Sequence, residues 1–114
     1  GVTTLTSLNN KDLKKIGYNK NIKQIVIHLT KLARKAKLDG IICSAHEAKY
    51  LKKICKGMEI ITPGIRLKGD NSQDQKRIAS PKYAFYNGAT GIVIGRSITK
   101  GNIKKNLKIL IDHL

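Results

Sequence analysis

Arg66 and Arg96 are the side chains in this sequence best placed to do chemistry. Each closes a short apolar run, Thr62-Pro63-Gly64-Ile65-Arg66 and Ile92-Val93-Ile94-Gly95-Arg96. A guanidinium presents a planar fork of donors and is never deprotonated, so two of them at consecutive strand ends suit a phosphate dianion. One arginine in such a place is more often a surface ion-pair former; it is the pair that points to an anion cradle. Gly95 fits the same reading, because a residue without a Cβ lets backbone N–H groups approach an anion closely. After Arg66 comes a polar run, 67–74, that leads into Asp74-Gln75-Lys76-Arg77. It reads as a lid with Gln75 at its far hinge, or as an ordinary surface loop, and Arg66 just before it tilts the choice toward the lid. Thr6 and Ser7 offer hydroxyls at the end of the first apolar run, either to a heterocycle or as caps of the next helix.

Nothing else in the chain assembles a reaction centre. No carboxylate pair, Ser/His/Asp set or Cys/His set emerges, and His28, His46 and His113 fall where structural or solvated roles are expected. Cys43 and Cys55 lie in apolar contexts without metal-ligand spacing, which favours packing in a reducing compartment over a disulfide or a metal site. On its own residues, this chain binds an anion and does not obviously transform it.

The elements that must hold these groups alternate. Strand-like runs at 2–6, 40–44, 60–62 and 91–95 are each followed by helical periodicity, which predicts a parallel sheet with helices on its outer face. Segment 21–37 shows the period best, with Ile22, Ile25, Val26, Leu29, Leu32, Ala33 and Ala36 on one face. Ser44-Ala45-His46-Glu47 has the capping-box pattern, and Ser80-Pro81 places a hydroxyl before a proline at the first helical position. Gly17, Gly57 and Gly88 follow helical runs, where a left-handed residue is wanted, while Gly40 and Gly91 begin strands. Four βα units are too few for a closed eight-stranded barrel and would leave one sheet face uncovered. A doubly wound sheet is the alternative, but nothing in the sequence marks a connection crossing to the second face.

Composition narrows the partners. The 114 residues carry 23 Lys+Arg against 7 Asp+Glu, a net charge of +16, and 40% are hydrophobic. Such a charge raises nucleic acid as a partner. The lysines, however, are spread over nearly every helix, and four tyrosines and one phenylalanine make stacking platforms scarce. A solvated, lysine-biased surface is therefore the expectation. Apolar runs fall short of the ~20 residues that span a bilayer, so no membrane partner is expected and the compartment reads as cytoplasmic. The opening Gly1-Val2-Thr3-Thr4-Leu5-Thr6 starts directly in strand-like sequence, which suggests the tail of something longer.

Taken together, Leu5-Thr6-Ser7, the run 38–47, Thr62-Pro63-Gly64-Ile65-Arg66, Asp74-Gln75-Lys76-Arg77 and the run from Gly88 to Thr99 resemble bacterial orotidine 5'-phosphate decarboxylase over essentially the whole chain. The resemblance implies an α/β fold of the TIM-type (β/α)8 barrel, to which residues 1–114 contribute the C-terminal four βα units without an internal boundary. It implies a usually homodimeric enzyme that converts orotidine 5'-monophosphate to UMP and carbon dioxide with no cofactor and no metal. By the same resemblance Arg66, Gly95 and Arg96 hold the phosphate, Gln75 reaches it from the lid, and Thr6 is a rim contact with Ser7 beside the pyrimidine. The family's catalytic Asp-x-Lys-x-x-Asp motif is absent from these residues, so no catalytic residue is expected in this chain and a missing N-terminal half is the implied partner. Ser97 stands where the family commonly has proline. A different phosphate-binding barrel acting on a sugar phosphate and a basic nucleic-acid-binding module remain as rival readings.

Overall fold

The computed structural model describes residues 1–67, 70 and 76–114. Among them three parallel strands, β1 (Gly40–Ile42), β2 (Glu59–Thr62) and β3 (Gly91–Ile92), lie in chain order, with Ile41 opposite Ile60 and Thr62 opposite Ile92. The first segment adds a fourth extended piece beside β1, through a parallel bridge from Val2 to Ile42 and the bond from the Thr3 N–H to the Ile42 carbonyl at 3.0 Å.

The helices among the described residues are α1 (Asn10–Lys15), α2 (Ile22–Lys35), α3 (Ala45–Leu51), α4 (Pro81–Tyr86), α5 (Arg96–Thr99) and α6 (Ile103–Ile111). Their starts are set by local chemistry. Asn9, Asn21 and Ser44 each complete a capping box, with Asp12, Gln24 and Glu47 as the returning side chains, and Ser80 caps α4 ahead of Pro81. Such caps satisfy N–H groups that the helix itself leaves open, at about 1 kcal/mol each. Gly17, Gly57 and Gly88 all take positive φ after helical runs, as their positions in the sequence suggest.

The core forms where helices meet the sheet. Ile41 and Cys43 of the first strand region and Ile60 of β2 pack with Val26 and Ala33 of α2 and with Ala48 and Leu51 of α3. A second cluster gathers Ala45, Ile65, Ala84 and Ala89, flanked by Ile92 and Ile94. Because α2 and α3 share one cluster and α3 touches α4, three successive helices stand side by side. Ile42 and Ile61, paired across the register, face the other way and are only half-buried. Side-by-side helices over one sheet face argue against the doubly wound alternative.

Two strands are shorter than their sequences suggest. The run 2–6 shrinks to the bridge at Val2, since Leu5 closes a turn with Leu8, and 91–95 shrinks to Gly91–Ile92, extended by the bond from the Val93 N–H to the Thr62 carbonyl. Both stand at the margins of the sheet, where only one side finds a neighbour among the described residues.

Candidate anion-binding site

The loop after β2 is built to present Arg66. Gly64 turns the chain at φ 75°, a conformation that favours glycine. The Arg66 N–H then binds the Ala79 carbonyl at 2.9 Å, and the Ala79 N–H binds the Gly64 carbonyl at 3.1 Å. Together with the parallel bridge between Ile65 and Ala79, these bonds close the base of the connection that follows Arg66. One guanidinium nitrogen, Nη1, donates to the carbonyl of Ile65 at 2.9 Å, while the buried Nη2 has no hydrogen-bond partner among the described residues. The side chain lines a cavity of about 500 Å³ with Leu67, Asp70, Ser80 and His113, a volume in the range of small-molecule sites. Asp70 is engaged by the Leu67 N–H at 3.0 Å.

Thr6 sits against this same loop. It is buried, its carbonyl accepts the N–H groups of Lys76 and Arg77, and a Cβ placed on Gly64 would come within 3.5 Å of its side chain and 3.1 Å of the Arg77 carbonyl. The end of the first segment, the Gly64 turn and the start of the segment at Lys76 therefore converge. Asn9, not Thr6 or Ser7, caps α1, which removes capping as the explanation of those two hydroxyls. Gln75 and Asp74, and most of the polar run between Arg66 and Lys76, lie outside the described residues.

Arg77 is the residue whose role the sequence did not disclose. Its guanidinium forms an ion pair with Glu47 and donates to the carbonyls of Thr4 at 3.0 Å and Leu5 at 2.9 Å. Burial works against its charge and lowers its pKa, and the Glu47 carboxylate is what holds the cation in place. Glu47 thereby serves twice, since it also accepts the Ser44 N–H at 2.9 Å as the closing half of the capping box. Its second task left no local pattern to read, because the partner is thirty positions away. Lys76 adds an exposed pair to Asp12 at 2.7 Å.

At the other candidate position, Gly95 caps α5 and Arg96 opens it. A Cβ on Gly95 would meet nothing within 4 Å, so the backbone there has open space beside it. Arg96 is not among the residues lining the Arg66 cavity. The structure thus brings Thr6 and the backbone of Arg77 together at the Gly64 turn that precedes Arg66 and places Gly95 and Arg96 at the start of α5, in the connection after β3.

Neither cysteine is a nucleophile here. Both are free and buried, and burial, followed by the neighbouring Cys55, pushes the Cys43 thiol up to about 12. The Cys55 thiol is raised as well, again mainly by burial. Such thiols carry almost no thiolate at neutral pH. His46 is tied to the Ile78 carbonyl through Nε2 at 3.0 Å, and His113 to the Ile109 carbonyl through Nδ1 at 2.7 Å.

Parallel strands in chain order, each followed by a helix, define an α/β protein of the kind that presents ligand contacts from its strand-to-helix loops. The chain belongs to the orotidine 5'-phosphate decarboxylase / HUMPS family, whose model matches residues 1–106. It is 50% identical over 112 residues to orotidine 5'-phosphate decarboxylase of Wolbachia sp. subsp. Brugia malayi, covering 97% of this chain and 49% of that protein. The corresponding enzyme of Pseudoalteromonas translucida is 47% identical over 102 residues, covering 89% and 44%. Among solved structures, orotidine 5'-phosphate decarboxylase from Lactobacillus acidophilus superposes with a TM-score of 0.75 at 30% identity, over 98% of this chain and 46% of that one. An uncharacterized conserved protein from Geobacillus kaustophilus gives 0.72 at 28% identity, over 98% and 46%. The chain spans about half the length of the curated relatives it matches. Among the described residues no helix is long and apolar enough to cross a membrane.

Proposed function

We propose that this chain is the phosphate-gripping C-terminal half of a (β/α)8 barrel that decarboxylates orotidine 5'-monophosphate to UMP and carbon dioxide. Residues 1–114 would form one continuous piece of that single domain, in a cytoplasmic homodimer, and the Asp/Lys array that the family uses for the chemical step would come from the other half. The observation that carries the reading is the family match along residues 1–106, within which the names of the relatives favour the decarboxylase over a sugar-phosphate enzyme.

In this reading Arg66 and Arg96 take the phosphate, and the open space beside the Gly95 backbone admits a phosphate oxygen. Gln75 reaches the phosphate from the connecting loop, and Thr6 contacts the nucleotide at the rim. The buried, unpartnered Nη2 of Arg66 supports the assignment, since a buried donor gains most from an acceptor that a ligand supplies. Phosphate binding far from the reacting carbon contributes to rate only where it is converted into closure and into positioning the carboxylate against the catalytic charges.

In the complete barrel, Arg96→Ala should lower kcat/KM for orotidine 5'-monophosphate roughly thirtyfold or more, since losing one partner of a desolvated charge pair costs about 2–5 kcal/mol. Unchanged kinetics would remove Arg96 from the site.

A further inference from the structure

The surface between α3 and α4 holds a groove apart from the Arg66 cavity. Tyr50, Tyr83 and Tyr86, with His46, Lys49 and Lys53, line a cavity of about 560 Å³. Three of the four tyrosines of the chain thus meet on one face, although their positions in the sequence give no hint of a platform. The floor is fixed: the His46 and Tyr83 rings lie 5.3 Å apart at a tilt of 56°, with Nδ1 3.3 Å from the tyrosine hydroxyl. Tyr86 stands out into solvent at 84% exposure. Lys49 of α3 and Lys53 in the turn beyond it stand about one helical turn apart, where side chains share a face. Among the described residues no carboxylate lines the groove, and Glu47 of α3 is turned inward to Arg77.

We propose that this groove binds single-stranded nucleic acid, with bases stacking on Tyr86 and Tyr83 and phosphates running along Lys49 and Lys53. Exposed tyrosine faces interleaved with lysines are what an unpaired strand uses, because every base has a π-face and every nucleotide a charge. The net charge of +16 draws a polyanion in. A duplex hides its bases and would leave Tyr86 idle, and so would an acidic peptide held by the lysines alone.

Fluorescence anisotropy with a labelled twelve-residue oligothymidylate in low salt tests this. Tyr86→Ala keeps the charge and, at so exposed a position, the fold; it should weaken binding about tenfold. Lys49→Gln with Lys53→Gln should weaken it further and make the slope of log affinity against log salt shallower by roughly 0.7 for each phosphate no longer neutralised. Lys104→Gln with Lys105→Gln on α6 should instead leave affinity within about twofold. Excess UMP should not displace the oligonucleotide. The proposal is overturned by no binding, by equal affinity of Tyr86→Ala and the unaltered protein, by equal weakening from the two lysine pairs, by displacement with UMP, or by equal competition from duplex DNA or a polyglutamate peptide.

Discussion

Helices α2 and α6 are both amphipathic, yet among the described residues only α2 of the two buries side chains fully. α2 buries Val26, Thr30 and Ala33 against β1 and α3. α6 buries no residue; Ile103 is 50% exposed and Ile111 68%, and its main neighbour is the four-residue α5. Even α2 is divided, since Leu29, Leu32 and Ala36 line an open apolar groove beside Gly1–Thr3. The same periodicity therefore produces a core where strands and helices stand on both sides, and a stripe exposed at Ile103 and Ile111 and half-buried at Ile109 and Leu110 where the described residues offer less cover. An apolar stripe contributes about 25 cal/mol per Å² only when something covers it. Under the proposed function, the other half of the barrel would cover both stripes.

The contrast can be broken most forcefully at Glu47. Glu47→Gln leaves the Arg77 guanidinium buried without its counter-charge and should cost about 3–5 kcal/mol in urea denaturation; a loss below about 1 kcal/mol would mean that the pair does not organise the middle of the chain. Next comes a matched pair of truncations. Leu51→Ala, fully buried in the first cluster, should cost about 2–5 kcal/mol, while Ile111→Ala on α6 should stay within about 0.5 kcal/mol. Equal losses would show that α6 is packed in solution. Ser44→Ala removes the hydroxyl that caps α3 and should cost about 1 kcal/mol by the same measurement.

The smallest effect is expected at the exposed Asp12–Lys76 pair. The hydrogen bond from Lys76, followed by that from the Asn9 N–H, holds the Asp12 carboxyl below its ordinary value of 3.8. A depressed folded pKa gives a contribution that is present above the unfolded pKa and is lost as pH falls through the folded one. Asp12→Asn should accordingly flatten a shallow acid limb of the stability curve, and high salt should erase the difference. An acid limb that Asp12→Asn leaves unaltered would assign it to other carboxylates.

What the sequence made legible was local. The Ser44–Glu47 box, the Ser80-Pro81 start, the positive-φ glycines and the strand starts at Gly40 and Gly91 all depend on residues within one turn of one another, and each stands as read. Arg66 was legible as a strand-end candidate through its motif, but the cavity it lines was not, because Ser80 and His113 reach it only through tertiary folding. The gathering of Tyr50, Tyr83 and Tyr86 was hidden for the same reason: a count of aromatics carries no information on which helices become neighbours. Arg77 shows the limit most plainly, since its three acceptors come from Thr4, Leu5 and Glu47.

That anchor also bears on the order in which the chain can be completed during synthesis. Strands that follow chain order let each new unit settle on the edge left by the previous one, so most of the sheet can be laid down as it leaves the ribosome. Arg77 reaches back 73 positions to the Thr4 carbonyl, and such a bond must wait for the intervening chain and for the cost of closing so long a loop. The Thr4–Leu5 segment is consequently fastened by this bond only after the 72 residues that follow Leu5 have been made, and until Arg77 emerges Glu47 lacks the guanidinium it pairs with.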